Sequence, residues 1–78
     1  MTNAVTDWHE GITVDPSIQG GRPVLKGTRL PVYVVIGSLG GGMSIEEVCE
    51  EYYLTPEQVR AALVYAAETL ADEAVVVR

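Results

Sequence analysis

A chain of 78 residues with a net charge of −6, one cysteine and one histidine describes a single small domain. An intramolecular disulfide and a Cys/His zinc site are excluded, and no apolar run approaches the roughly 20 residues that span a bilayer. So small a domain buries little core alone, which predicts association into at least a homodimer; a polar start without a signal peptide predicts a cytoplasmic protein with Cys49 reduced.

Residues 1–10 read as a mobile lead-in in which Trp8 is the one anchor, 11–72 as a single domain and 73–78 as a tail. Ile12-Thr13-Val14 alternates apolar and polar and is β-branched, a short strand closed by the Asp15-Pro16 turn signal. Gly20-Gly21 marks a second turn, Pro23-Val24-Leu25 a second extended piece, and Gly27 a bend before Thr28-Arg29-Leu30. A lone two-stranded ribbon of this length is unstable in water, so it must pack on helices or pair with a second copy.

Val32 to Leu39 is almost wholly apolar. Its β-branching favours a strand, but Pro31 suits a helix start and Gly40-Gly41-Gly42 a helix end, which predicts a helix. A helix apolar on all sides must be covered on most of them, which again suggests a subunit interface.

Two helix-start signals follow close together. Ser44-Ile45-Glu46-Glu47 and Thr55-Pro56-Glu57-Gln58 each place Glu or Gln three residues after a hydroxyl, the reciprocal arrangement that satisfies free amides at a helix start. Pro56 in the first helical position strengthens the second. One helix is predicted over Ser44–Tyr52, with Ile45, Val48, Cys49 and Tyr52 inward and Glu46, Glu47, Glu50 and Glu51 outward. Leu54 plugs the turn. Another is predicted from Pro56 to about Asp72, with Val59, Ala62, Leu63, Ala66 and Leu70 inward. Ala74–Val77 can extend this helix, form an edge strand or fray. Two helices joined so tightly are a helix-turn-helix candidate, in which the second helix usually meets DNA.

Charge is the objection to DNA. Residues 1–21 hold Asp7, Glu10 and Asp15 and no base, and everything after Arg29 carries eight carboxylates against Arg60 and Arg78. A field this acidic repels nucleic acid, so any DNA contact has to be local. Three of the five basic residues do cluster, as Arg22, Lys26 and Arg29. They are the candidate phosphate contacts, while Gln58 and Arg60 of the last helix are the candidate base or phosphate readers. The plainer alternative is that the basic ribbon pairs with acidic helices of its own or a partner chain.

Other chemistry fits poorly. Gly21 to Thr28 resembles a phosphate loop with Lys and Gly exchanged, but Pro31 intervenes before the helix and the order is wrong. The four glutamates of the second helix read as a solvated face or a contact surface for a basic partner. His9 and Cys49 lack the base and orienter that nucleophilic catalysis needs. No catalytic set, metal site or cofactor is expected, and the chain is read as a non-enzyme.

The run Ile12-Thr13-Val14-Asp15-Pro16-Ser17-Ile18-Gln19-Gly20-Gly21-Arg22-Pro23-Val24-Leu25-Lys26-Gly27-Thr28-Arg29-Leu30-Pro31-Val32 closely resembles the signature of the bacterial domain of unknown function 433 family. Gly42 to Glu47 and Leu54 to Ala67 are similar to its helical half. The resemblance implies a mainly α fold, a homeodomain-like three-helix helix-turn-helix core with a short N-terminal β-hairpin, in a dimer. It also implies an antitoxin that binds DNA, partners a PIN-like ribonuclease toxin and represses its own operon. Arg22, Lys26 and Arg29 occupy matching basic positions. Many members have Cys where Gln19 and Val24 stand here, so no cysteine role carries over. The alternative reading, from a different class, is a protein–protein adaptor that uses its acidic helices without binding DNA.

Overall fold

Three short strands precede three helices in a computed structural model that describes residues 6–9 and 11–72. Strand β1 (Thr6–His9) pairs antiparallel with β2 (Ile12–Val14), and β2 with β3 (Val24–Leu25), giving the order β1-β2-β3. The helices are α1 (Val32–Gly40), α2 (Ile45–Tyr52) and α3 (Pro56–Asp72). The fold is mainly helical with a small antiparallel sheet at the N-terminus, as predicted.

The expected ribbon is the β2–β3 pair, with Ile12 opposite Leu25 and Thr13 opposite Val24. The chain adds β1 in the segment read as a lead-in, with a register shift between Asp7 and His9. Nothing in Thr-Asp-Trp-His alternates, so β1 owes its place to the open edge of β2, whose amides need partners. The side chains of residues 6–9, and with them the anchoring of Trp8 and any role for His9, lie outside the described residues, as do residues 73–78.

Both helix-start signals form as capping boxes. Ser44 Oγ accepts from the Glu47 N–H at 3.0 Å while Glu47 Oε1 accepts from the Ser44 N–H at 2.8 Å. Thr55 Oγ1 accepts from the Gln58 N–H at 3.2 Å and Gln58 Oε1 from the Thr55 N–H at 2.8 Å. Helix α1 closes on its glycines, with the Gly42 and Met43 amides turned back onto the Leu39 and Ser38 carbonyls. Helix α2 closes the same way, the Leu54 amide reaching the Cys49 carbonyl, but here a tyrosine takes the left-handed position: Tyr53 has φ 59° and ψ 49°. The carbonyls at both helix ends are thereby satisfied before the chain turns.

The core gathers one or two residues from β2, β3 and each helix, Ile12 and Leu25 from the sheet, Val32 and Val35 from α1, Val48 from α2, Leu54 from the turn, Val59 and Ala62 from α3. Leu54 is the plug that the sequence predicts, and Cys49 packs half-buried against this core. A hydrogen bond between Ser38 Oγ and the Tyr52 hydroxyl, 3.0 Å, ties α1 to α2. Three residues expected inside are not. Ile45 is 48 %, Leu63 39 % and Leu70 67 % exposed, because helical spacing selects a face but not the depth to which neighbours cover it.

Candidate functional site

Helices α2 and α3 are joined by three residues, Tyr53, Leu54 and Thr55. Leu54 points into the core and Thr55 caps α3, so the turn is held from within, while Tyr53 projects outward at 92 % exposure. The exposed residues in the first half of α3 are Pro56, Glu57, Arg60, Leu63 and Val64. Arg60 is the single cation among them. Gln58 is half-buried and commits its amide oxygen to the cap, so reading a base with Gln58 requires its amide nitrogen or release of the cap.

The basic ribbon divides into two places. Lys26 and Arg29, both exposed, flank a tight turn that leaves β3 at Leu25 and returns at Leu30, whose carbonyl accepts the Leu25 N–H at 3.0 Å. Thr28 shapes this turn. Its Oγ1–H donates to the Leu25 carbonyl at 2.7 Å, and its oxygen accepts the Leu30 N–H at 3.0 Å. The Lys26 N–H donates to the Gly11 carbonyl at 2.8 Å, and Gly11 lies against the Cβ of Ala61, the residue after Arg60. The turn therefore sits beside the first half of α3. Arg22 lies elsewhere. Its guanidinium stacks over the Tyr33 ring of α1, 5.7 Å from the centroid, and borders a groove that runs toward the second half of α3.

Sequence reasoning thus found the charged residues but not their grouping, and it missed Thr28 and Gly11 as the residues that set the geometry. The Gly27-Thr28 pair signals the turn in the sequence, and nothing there marks Gly11. One further anion is tied into the ribbon. Asp15 Oδ1 accepts from the Ser17 N–H at 2.9 Å and the Ser17 Oγ–H at 2.7 Å. These two bonds hold the Asp15 carboxyl below the usual carboxylate range, with a smaller contribution from the Arg29 guanidinium. Among the described residues no three His, Cys, Asp or Glu side chains gather in a way that could hold a metal ion, and no described helix is long and apolar enough to cross a membrane.

Residues 12–66 match the family described as "Protein of unknown function (DUF433)". The chain belongs to the DUF433 family. An uncharacterized protein of Sinorhizobium fredii, y4eO, is 45 % identical over 58 residues, 73 % of this chain and 26 % of that protein. A Mycobacterium tuberculosis protein named "Putative antitoxin VapB45" is 36 % identical over 52 residues, 67 % of this chain and 22 % of its own. The crystal structure of Rv2018 from Mycobacterium tuberculosis superimposes with a TM-score of 0.61 at 36 % identity, over 67 % of this chain and 24 % of that one. The chain spans about a quarter of the length of these relatives. The family match over residues 12–66 takes in β2, β3, α1, α2 and α3 as far as Ala66, the stretch that carries the Gly-Gly and Gly-Thr-Arg-Leu-Pro elements.

Proposed function

We propose that this chain is an antitoxin-type regulator of a toxin–antitoxin pair, a non-enzymatic cytoplasmic protein that docks α3 on DNA as a homodimer. The observation that carries the reading is the juxtaposition of the Lys26–Arg29 turn with the first half of α3, through Gly11 and Ala61. In this arrangement the two exposed cations of the turn meet phosphates flanking the groove that α3 enters, and Arg60 makes the contact nearest the bases. The similarity to a protein named as an antitoxin supports the toxin–antitoxin part, with a PIN-like ribonuclease as the toxin partner that the family resemblance implies. Glu57 and Glu68 on α3 oppose a phosphate backbone, so binding depends on local cations and is steep in salt.

The test is fluorescence anisotropy with the chain's own upstream DNA. If Lys26, Arg29 and Arg60 from two protomers each neutralise one phosphate, log affinity falls against log salt with a slope of about −5. Arg60→Glu is expected to abolish binding while the far-UV circular dichroism stays unchanged. Absence of binding at about 50 mM salt, where electrostatic attraction is strongest, rejects the DNA reading.

A second reading rests on α2. Glu46, Glu47, Glu50 and Glu51 are all exposed, and the exposed Tyr53 ring follows them. A protein–protein adaptor would use this face against a basic partner. In that case Glu50→Lys weakens binding of the basic partner and the chain binds no DNA with or without the substitution, whereas the DNA reading predicts DNA affinity equal or higher in Glu50→Lys.

A further inference from the structure

The outward side of α3 carries an exposed apolar residue that the fold does not use. By helical spacing Glu57, Arg60, Val64 and Ala67 fall along one side of the helix, away from the buried Val59 and Ala62, and all four are exposed. Glu57 has a local reason to be there, since an anion in the first turn suits the helix dipole. Val64 has none. It is 43 % exposed, lies nearly opposite Val59 and Ala62, and as a β-branched residue favours the helix less than alanine does. Gln58 bears on the same question. It is the only carboxamide in α3, the group that pairs with adenine by accepting and donating at once. Its Oε1 already accepts the Thr55 N–H at 2.8 Å, so the accepting half of that pair is closed.

We propose that Val64, and not Gln58, is the second base-reading residue of α3, with the C5 methyl of thymine as its ligand beside a guanine met by Arg60. This rests on the DNA reading above and adds to it which bases are read. Val64 follows Arg60 by four residues, about 6 Å along the helix, so the two reach base pairs no more than about two steps apart. Both lie in the part of α3 that Gly11 and Ala61 bring beside the Lys26–Arg29 turn, so cations flank the same face. A protein surface that covered Val64 would have to desolvate Arg60 with it, at a cost that only matched carboxylates offset. The major groove takes every group as it stands: phosphates for Lys26 and Arg29, the guanine O6 and N7 for Arg60, and a methyl for Val64. Past Val64 the line continues as Ala67, a shorter side chain lying a turn further from the N-terminal end that meets base edges.

Fluorescence anisotropy with one duplex in three forms tests this. The duplex is the chain's own upstream DNA, used unmodified, with every thymine replaced by uracil, and with every guanine replaced by 7-deazaguanine. Uracil removes the methyls and keeps every hydrogen-bonding edge, so the wild type should bind that duplex about fourfold more weakly for each protomer engaged. The 7-deazaguanine duplex lacks one of the two acceptors that Arg60 uses and should bind about tenfold more weakly for each. Val64→Ala should no longer distinguish thymine from uracil while keeping its response to 7-deazaguanine, and Arg60→Ala should show the reverse. The cross-pattern separates contact from DNA shape, because a shape effect of uracil would persist in Val64→Ala. Persistence of that effect overturns the proposal. So does a wild type that binds the unmodified and uracil duplexes equally, an outcome that leaves the DNA reading standing. A chain that binds none of the three at about 50 mM salt overturns the DNA reading and this proposal together.

Discussion

Gly11 and Ala61 join the sheet to α3 at a spacing that leaves a side chain on the glycine crowded: a Cβ there would lie 3.0 Å from the Cβ of Ala61. Gly11 also has φ +93°, a conformation costly to any L-residue. Gly11→Ala therefore meets two penalties, backbone strain and overpacking, and should lower stability by about 3 kcal/mol. Gly27, at φ +80° with open space around it, supplies the control. Gly27→Ala meets strain alone and should cost about 1 kcal/mol. Urea unfolding of both variants gives the comparison; equal losses would mean that the Ala61 contact is not tight.

Tyr53 takes the left-handed position that ends α2, where glycine is the usual occupant, and its ring is almost entirely in water. Since the ring gains little from the fold, Tyr53→Gly should raise stability by about 0.5–1 kcal/mol, relief of strain exceeding the added backbone entropy. A thermal midpoint that drops instead would show that the ring makes a stabilising contact in solution.

The two capping boxes bracket the turn and act on different helices. Ser44→Ala and Thr55→Ala should each cost about 1 kcal/mol, and the double variant about the sum. The residues are eleven apart in sequence and their caps share no partner. Circular dichroism in urea measures each loss; a double variant much worse than additive would mean that the turn cooperates as one unit.

Acid should act through Asp15. Its carboxyl in the folded chain lies below the range of an unfolded carboxyl, because the charged form is held by the two Ser17 bonds. The folded state therefore binds fewer protons than the unfolded one through that window. The resulting stabilisation is present above the ordinary carboxylate range and is lost as pH falls through the depressed folded value. Asp15→Asn should be less stable than wild type at neutral pH, with the gap closing in acid below that range. A gap that stays constant with pH would assign the loss to shape and not to charge.

Much of the helical half was legible in the sequence. Capping boxes are local, three-residue devices, so Ser44 and Thr55 announce their helices without reference to the rest of the chain, and α3 runs from Pro56 to Asp72 as the pattern predicts. The apolar run after Pro31 was ambiguous in propensity, and its glycine stop decided it correctly as α1. Strand β1 was not legible, since its pairing depends on an edge created by β2, a non-local partner.

The candidate site divides in the same way. The sequence by itself determined which residues carry charge, where the helices start, and that a single cation, Arg60, faces outward near the start of α3. Only the tertiary structure decided that Lys26 and Arg29 sit on a Thr28-shaped turn against α3 while Arg22 lies apart on Tyr33. It also decided that Leu70 is uncovered although its spacing places it on the inward side. The reason is physical. Capping and periodicity are satisfied within a few residues of chain, whereas grouping and depth depend on which other elements reach a given point. Helices of nine and eight residues cannot reach the end of one of seventeen.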